Sequence, residues 1–263
     1  MKEKTKDKLS FAELKLKAEQ GDAKSQNALG VRYKYGRGVR KNLKKAAEWY
    51  TKAAEQGVAV AQFNIGACYW KGEGVRRNYT KAFEWYMKAA EQGDSWAQND
   101  VGVCYADGKG VKKDLQKAVE WYSLAAKQGY KTAQHNLAVC YKNGEGVEKD
   151  YKEAVKWYKK AARQGEPWSQ HNLAICYEYG EGVRKNYKKA FEWYSKAVEL
   201  GSELSQYHLA VCYEKGQGVE KDIGKAIEWY KRAAQQGDEM AKRRLEELTR
   251  KQGIIEEDDS VPF

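Results

Sequence analysis

Apolar residues recur along the chain at steps of three and four, the period of a helix with one buried face. Over residues 59–71, Ala61, Ile65, Gly66 and Tyr69 fall on one such face. Over residues 79–92, Ala82, Trp85, Tyr86, Ala89 and Ala90 do the same, and Gly93 ends the run. Between the two lies Gly72-Glu73-Gly74-Val75, a turn that ends the first helix because glycine accepts the left-handed backbone of a helix stop. Val75 is expected to dip toward the core. Asn78 is placed as the N-cap of the second helix, its side-chain oxygen meeting free backbone N–H groups.

This two-helix unit repeats. Trp-Tyr pairs stand at Trp49-Tyr50, Trp85-Tyr86, Trp121-Tyr122, Trp157-Tyr158, Trp193-Tyr194 and Trp229-Tyr230, each 36 residues after the last. The Gly-x-Gly-Val turns opening at Gly36, Gly72, Gly108, Gly144, Gly180 and Gly216 keep the same step. One helix pair cannot bury its apolar face alone, so neighbours must stack. The expected fold is all-α: a solenoid of antiparallel helix pairs, six 36-residue repeats with a half-repeat cap at each end. Residues 1–22 read as an N-terminal capping helix, 23–237 as the six repeats and 238–252 as a C-terminal capping helix. In that last helix Lys242, Arg243 and Arg244 replace Gln206, Tyr207 and His208 of the repeat before it, the polar face a terminal cap needs. Residues 253–263 form an acidic tail expected to fray.

The unit A-x-x-x-L-G/A-x-x-Y-x-x-G-x-G-V, followed by Asp or Asn and A-x-x-W-Y-x-x-A-A-x-x-G, resembles the Sel-1-like repeat family, relatives of the tetratricopeptide repeat. The resemblance runs over about residues 23–237, and in the second unit rests on Ala61, Ile65, Gly66, Tyr69, Gly72, Gly74, Val75, Asn78, Ala82, Trp85, Tyr86, Ala89 and Gly93. It implies a right-handed superhelix and a role as an adaptor that assembles protein complexes. A secreted, cysteine-rich branch of that family is associated with penicillin-type ligands and β-lactam hydrolysis. This chain departs from that branch, because its units carry single cysteines rather than the pairs that staple each helix pair there.

Repetition marks what the fold demands, so variation marks where specificity can reside. On the first helices a row beside the framework changes from unit to unit, and by likeness to tetratricopeptide arrays it lines the concave surface. It supplies the candidate partner contacts Phe63, Trp70, Trp96, His135, Trp168, His171 and Tyr207. Asn64, Asn136 and Asn172 recur beside it, where an amide could bind the backbone of an extended peptide. The other reading is that the row packs between units; exposed apolar stripes more often mean contact.

Composition adds a formal charge of +11, with 42% hydrophobic and 32% charged residues. Arg40-Lys41, Arg76-Arg77, Lys112-Lys113, Lys149, Arg184-Lys185 and Lys221 follow successive turns and would form a basic ridge. Charge alone brings only non-specific attraction, so nucleic acid is not the expected partner. The glycine turns follow helices rather than strands and are not nucleotide loops. There is no GxSxG or HExxH motif. His208 and Cys212 share a helix face, but a zinc site needs about four converging ligands. No metal or cofactor is expected. No run of about 18 apolar residues suggests a membrane span, and the first residues lack a secretory apolar core; the expected home is cytoplasmic.

The reading is a monomeric, non-enzymatic protein-interaction scaffold that holds a peptide or helix of a partner. The alternatives are a binder of anionic surfaces through the basic ridge and, behind it, a β-lactam-hydrolysing enzyme. Cys68, Cys104, Cys140, Cys176 and Cys212 lie one period apart. Packed helices are about 8–10 Å apart, beyond the roughly 7 Å between Cα atoms that a disulfide tolerates. Denatured without reductant, the protein should therefore titrate five thiols; a count of one would mean two disulfides.

Overall fold

A computed structural model describes residues 10–251, in which there are fourteen helices and no strand. A lone helix α1 (Phe11–Glu19) precedes six pairs: α2 (Ala23–Tyr35) with α3 (Leu43–Glu55), α4 (Ala59–Lys71) with α5 (Tyr79–Glu91), α6 (Ser95–Asp107) with α7 (Leu115–Lys127), α8 (Lys131–Asn143) with α9 (Tyr151–Arg163), α10 (Pro167–Tyr179) with α11 (Tyr187–Glu199), and α12 (Glu203–Lys215) with α13 (Ile223–Gln235). Helix α14 (Glu239–Lys251) follows alone. The acidic tail expected over 253–263 lies outside the described residues. The fold is an all-α solenoid of helix pairs. It divides into two compact units, residues 10–133 with 145–147, and residues 134–144 with 148–251. Within the first unit, consecutive helices from α1 to α7 pack on one another; within the second, those from α9 to α14 do.

The ends of the helices form for the expected reasons. The Asn78 side chain accepts a hydrogen bond from the Lys81 N–H at 2.9 Å. Asn42, Asp114, Asp150, Asn186 and Asp222 cap their helices in the same way. Such a cap contributes about 1 kcal/mol over alanine. First helices end on glycines in the left-handed region, as at Gly72 with φ of 75°.

The second turn glycine has a different task, which the pattern alone did not reveal. A Cβ on Gly74 would collide with the backbone carbonyl of Leu43, where the preceding pair's second helix opens. Gly110 meets Tyr79, Gly146 meets Leu115, Gly182 meets Tyr151 and Gly218 meets Tyr187 in the same way. Backbone thus rests directly on backbone from one pair to the next.

Inside each pair, alanines let the helices approach and a tyrosine fills the seam. Tyr50, Tyr158, Tyr194 and Tyr230 are fully buried. A Cβ on Gly66 would come within 2.7 Å of the Tyr86 ring, so the glycine makes room for it. The tryptophan before each tyrosine points about 100° away around the helix; all but Trp157 are only half-buried. Its ring is roofed by a cation one turn on, as with Lys88 over Trp85 at 4.3 Å and Lys160 over Trp157 at 4.0 Å. In α7 Leu124 takes the place of that cation and stands exposed.

Glutamines tie pair to pair. Gln62 donates to the Ala54 carbonyl at 3.2 Å and accepts from Gln92 at 2.7 Å. Gln26 and Gln56, Gln98 and Gln128, and Gln134 and Gln164 make the same link.

The two roles of the turn glycines can be separated. Gly93 has a φ of 90°, left-handed like Gly74 at 76°, but a Cβ there would meet nothing within 4 Å. Gly93→Ala should cost about 1–2 kcal/mol for its left-handed backbone. Gly74→Ala should cost clearly more, read as a lower urea midpoint; equal losses would mean that the backbone contact is unimportant.

Candidate partner-binding surface

The variable row of the first helices is where side chains differ most, and each unit presents its own part. In the first unit Trp96 opens α6 and is 58% exposed. Its indole lies edge-on to Phe63 at 5.8 Å and stacks on Tyr130 at 6.2 Å. Phe63 is half-buried and leans on Tyr86 at 5.7 Å. Trp70 is half-buried near the end of α4, 4.9 Å from Tyr79 and 6.3 Å from Tyr86. Phe63, Trp96 and Trp70 thus form a chain of aromatic contacts centred on Tyr86. The Asn64 amide is engaged already, donating to the Asn27 side chain at 3.0 Å.

In the second unit Trp168 is 56% exposed at the start of α10, where Pro167 takes the first helical position. With Leu200 and Leu204, both about half-exposed, it walls an open cleft of about 480 Å³. The histidines face inward instead. His135 is half-buried, with Nδ1 2.9 Å from Ser169 Oγ and 3.5 Å from Glu166. His171 is 7% exposed, and its Nδ1 is 2.9 Å from Ser205 Oγ. Burial, reinforced by His208, pushes His171 down to about 4, so its ring is neutral at physiological pH. Burial also lowers His135, against the pull of Glu166. Tyr207 is half-buried, 5.7 Å from Tyr230. Asn172 donates back to the Trp168 carbonyl at 3.0 Å, and Asn136 is half-buried on α8.

The sequence expectation thus divides. Trp96 and Trp168 present wide exposed rings. Phe63, Trp70 and Tyr207 show their edges. His171 is a wall residue, and the Asn64 and Asn172 amides serve the chain itself rather than standing open to a peptide backbone. The basic residues after the turns, from Arg40 to Lys221, are all exposed.

A family model described as Sel1 repeat matches residues 23–58, 59–94, 97–130, 131–166, 169–202 and 204–238. The chain belongs to the Sel1 repeat family. Among solved structures it is similar to a protective antigen present in uropathogenic Escherichia coli strains displaying an SLR fold, with 41% identity and a TM-score of 0.88. That match covers 94% of this chain but 53% of the antigen, so the chain spans about half the antigen's length. It is also similar to a Sel1 repeat protein from Oxalobacter formigenes, with 37% identity, a TM-score of 0.74, and coverage of 81% of this chain and 86% of that one. No curated protein matches the chain.

The Sel1 framework explains the cysteines and exposes two departures. All five cysteines are buried. Burial pushes the Cys68 and Cys176 thiols up to about 11 and those of Cys104 and Cys212 to about 12, so they pack as small apolar groups and are poor nucleophiles. The first departure is Leu200, where the other repeats place a glutamine. It leaves the Gln170 side-chain oxygen buried without a hydrogen bond and adds apolar surface beside Trp168. The second is Asp100, a carboxylate where Asn64, Asn136 and Asn172 stand in other repeats. Leu200 is visible in the sequence as a break in an otherwise kept position, and Asp100 as a carboxylate at a position that also holds Ala28 and His208. No helix among the described residues is long and apolar enough to cross a membrane.

Leu200→Gln restores the missing donor. It should raise stability by about 0.5–1.5 kcal/mol, the net worth of one buried hydrogen bond, seen as a higher urea midpoint. A lower midpoint would show that the Leu200 side chain matters more through its apolar contacts.

Proposed function

We propose that this Sel1 repeat protein is a cytoplasmic, monomeric scaffold that acts without catalysis and holds a segment of a partner protein on the variable face of its first helices. Sel1 repeat proteins commonly serve as protein-interaction scaffolds. The observation that carries the reading is the exposure of Trp96 and Trp168, at 58% and 56%, where every other tryptophan is half-buried or, at Trp157, buried. Large exposed rings cost solubility and are favoured where a partner covers them; interface energy concentrates in such anchors. In the first unit Phe63 and Trp70 accompany Trp96, and in the second His135 and Tyr207 accompany Trp168.

The test compares anchors with framework. The partner is captured on the immobilised protein, identified by mass spectrometry and then titrated in purified form. Trp96→Ala and Trp168→Ala should each weaken binding by about 2 kcal/mol, roughly thirtyfold, while lowering stability by about 1 kcal/mol. Trp157→Ala removes a buried ring and should cost about 3–5 kcal/mol of stability. Anchor variants that melt as badly as Trp157→Ala, yet bind normally in their folded fraction, would make the exposed rings part of the packing and end this reading.

A further inference from the structure

The tyrosine of each second helix is a fixed point around which the repeats differ. At Tyr194 the flanking positions hold Glu178 and His208. The Tyr194 hydroxyl donates to Glu178 at 2.6 Å, and His208 lies 3.6 Å from the same carboxylate with its ring stacked on Tyr194 at 4.9 Å. Burial opposes ionisation of Glu178, but the hydrogen bonds from His208 and Tyr194 outweigh it and hold the carboxyl below its usual range. At Tyr230 the same positions hold Glu214 and Arg244. The hydroxyl donates to Glu214 at 2.7 Å, and the guanidinium bonds that carboxylate through Nε at 3.0 Å and through Nη2. Each site therefore joins a carboxylate, a phenol and a basic side chain, which comes from the next first helix, or cap, of the chain itself.

Around Tyr86 those positions hold Trp70 and Asp100. The carboxylate has moved to the side from which the basic group came elsewhere, and an indole faces it. Among the described residues no basic side chain completes the set. The carboxylate of Asp100 accepts one hydrogen bond, from Asn99 at 3.0 Å, and forms no ion pair among the described residues. The Tyr86 hydroxyl has no hydrogen bond to Glu178's counterpart, since that position is Trp70. A cavity of about 90 Å³ opens between Trp70, Tyr86, Asp100 and Val103. The two aromatic rings are 6.3 Å apart and inclined at 49°. Lys109 lies 5.5 Å from the Trp70 ring, but its ammonium is bound to Asp107 at 2.7 Å.

We propose that this cavity takes the ammonium group of a lysine side chain from the partner segment, seated on Asp100 with its methylenes against the Trp70 and Tyr86 rings that line it. Aromatic faces attract cations, and a carboxylate makes the stronger, charge-assisted hydrogen bond. The small volume favours a compact ammonium over a planar guanidinium. A bound ammonium takes the place that the basic side chains of His208 and Arg244 hold at the other registers. Burial pushes Asp100 up to about 6, with Asp94 adding to the rise and Asn99 and Lys71 opposing it, while Tyr86 and Cys104 stay neutral. An acid raised in the folded state loses stability as pH rises from the ordinary carboxylate value to about 6. Asp100→Asn removes that loss, so the variant should melt no lower than the parent at neutral pH.

The inference rests on the scaffold reading, but its test uses no partner. Nα-acetyl-lysine methylamide is titrated into protein with 15N-labelled tryptophan, the Trp70 indole signal being assigned through Trp70→Phe. At about 50 mM ligand, enough to populate a millimolar site, the Trp70 signal should shift. The Nε-acetylated analogue, which lacks the charge, should leave it in place. Asp100→Asn should weaken the response at least tenfold, and lowering the pH below about 6 should weaken it in the parent. An unmoved Trp70 signal, an equal shift with the neutral analogue, or an unchanged response in a folded Asp100→Asn protein would overturn the inference. Failure of the scaffold reading shows separately, as undiminished partner binding by Trp96→Ala and Trp168→Ala.

Discussion

The stack depends on one contact of backbone with backbone, the second turn glycine against the carbonyl that opens the preceding second helix. Its φ is positive and its Cβ direction is blocked, so two independent constraints demand glycine at the same place. That contact sets the distance from pair to pair. At that distance a tyrosine ring fits against glycine or alanine within the pair, and a glutamine reaches the glutamine of its neighbour. These positions repeat because each is solved once and copied.

The same geometry accounts for a chain at once aromatic and highly charged. Neighbouring residues on a helix point about 100° apart, so a Trp-Tyr pair sends the tyrosine inward and leaves the tryptophan at the boundary. A lysine or arginine one turn later covers the indole face, a contact worth about 0.5–1 kcal/mol at an exposed site. Lys52, Lys88, Lys160, Lys196 and Arg232 all do so. These five basic side chains therefore have a duty within the fold.

Positions free of these duties carry the individuality of the repeats. Around the buried tyrosines the chain satisfies its own carboxylates in some repeats, with His208 on Glu178 and Arg244 on Glu214, and leaves one, Asp100, beside an open cavity. The exposed rings of Trp96 and Trp168 stand at equivalent repeat positions, one in each unit. Function is accordingly sought where a repeat breaks its own rule.

The fold was legible from periodicity alone, because a 36-residue step with helical spacing, glycine stops and Asn or Asp caps admits one local solution. The variable row was legible as well, since it is what remains when the framework is subtracted. Which members of that row face solvent was not. Trp96 and Trp168, in the first turn of their helices, are exposed, while His171, one turn further along, is buried against Ser205 and Tyr194. Nor could the sequence say that Asn64 and Asn172 are occupied by Asn27 and the Trp168 carbonyl, or that Asp100 lines a cavity with Trp70 and Tyr86. Spacing along a chain specifies which residues share a face; only packing in three dimensions decides which of their polar groups already have partners.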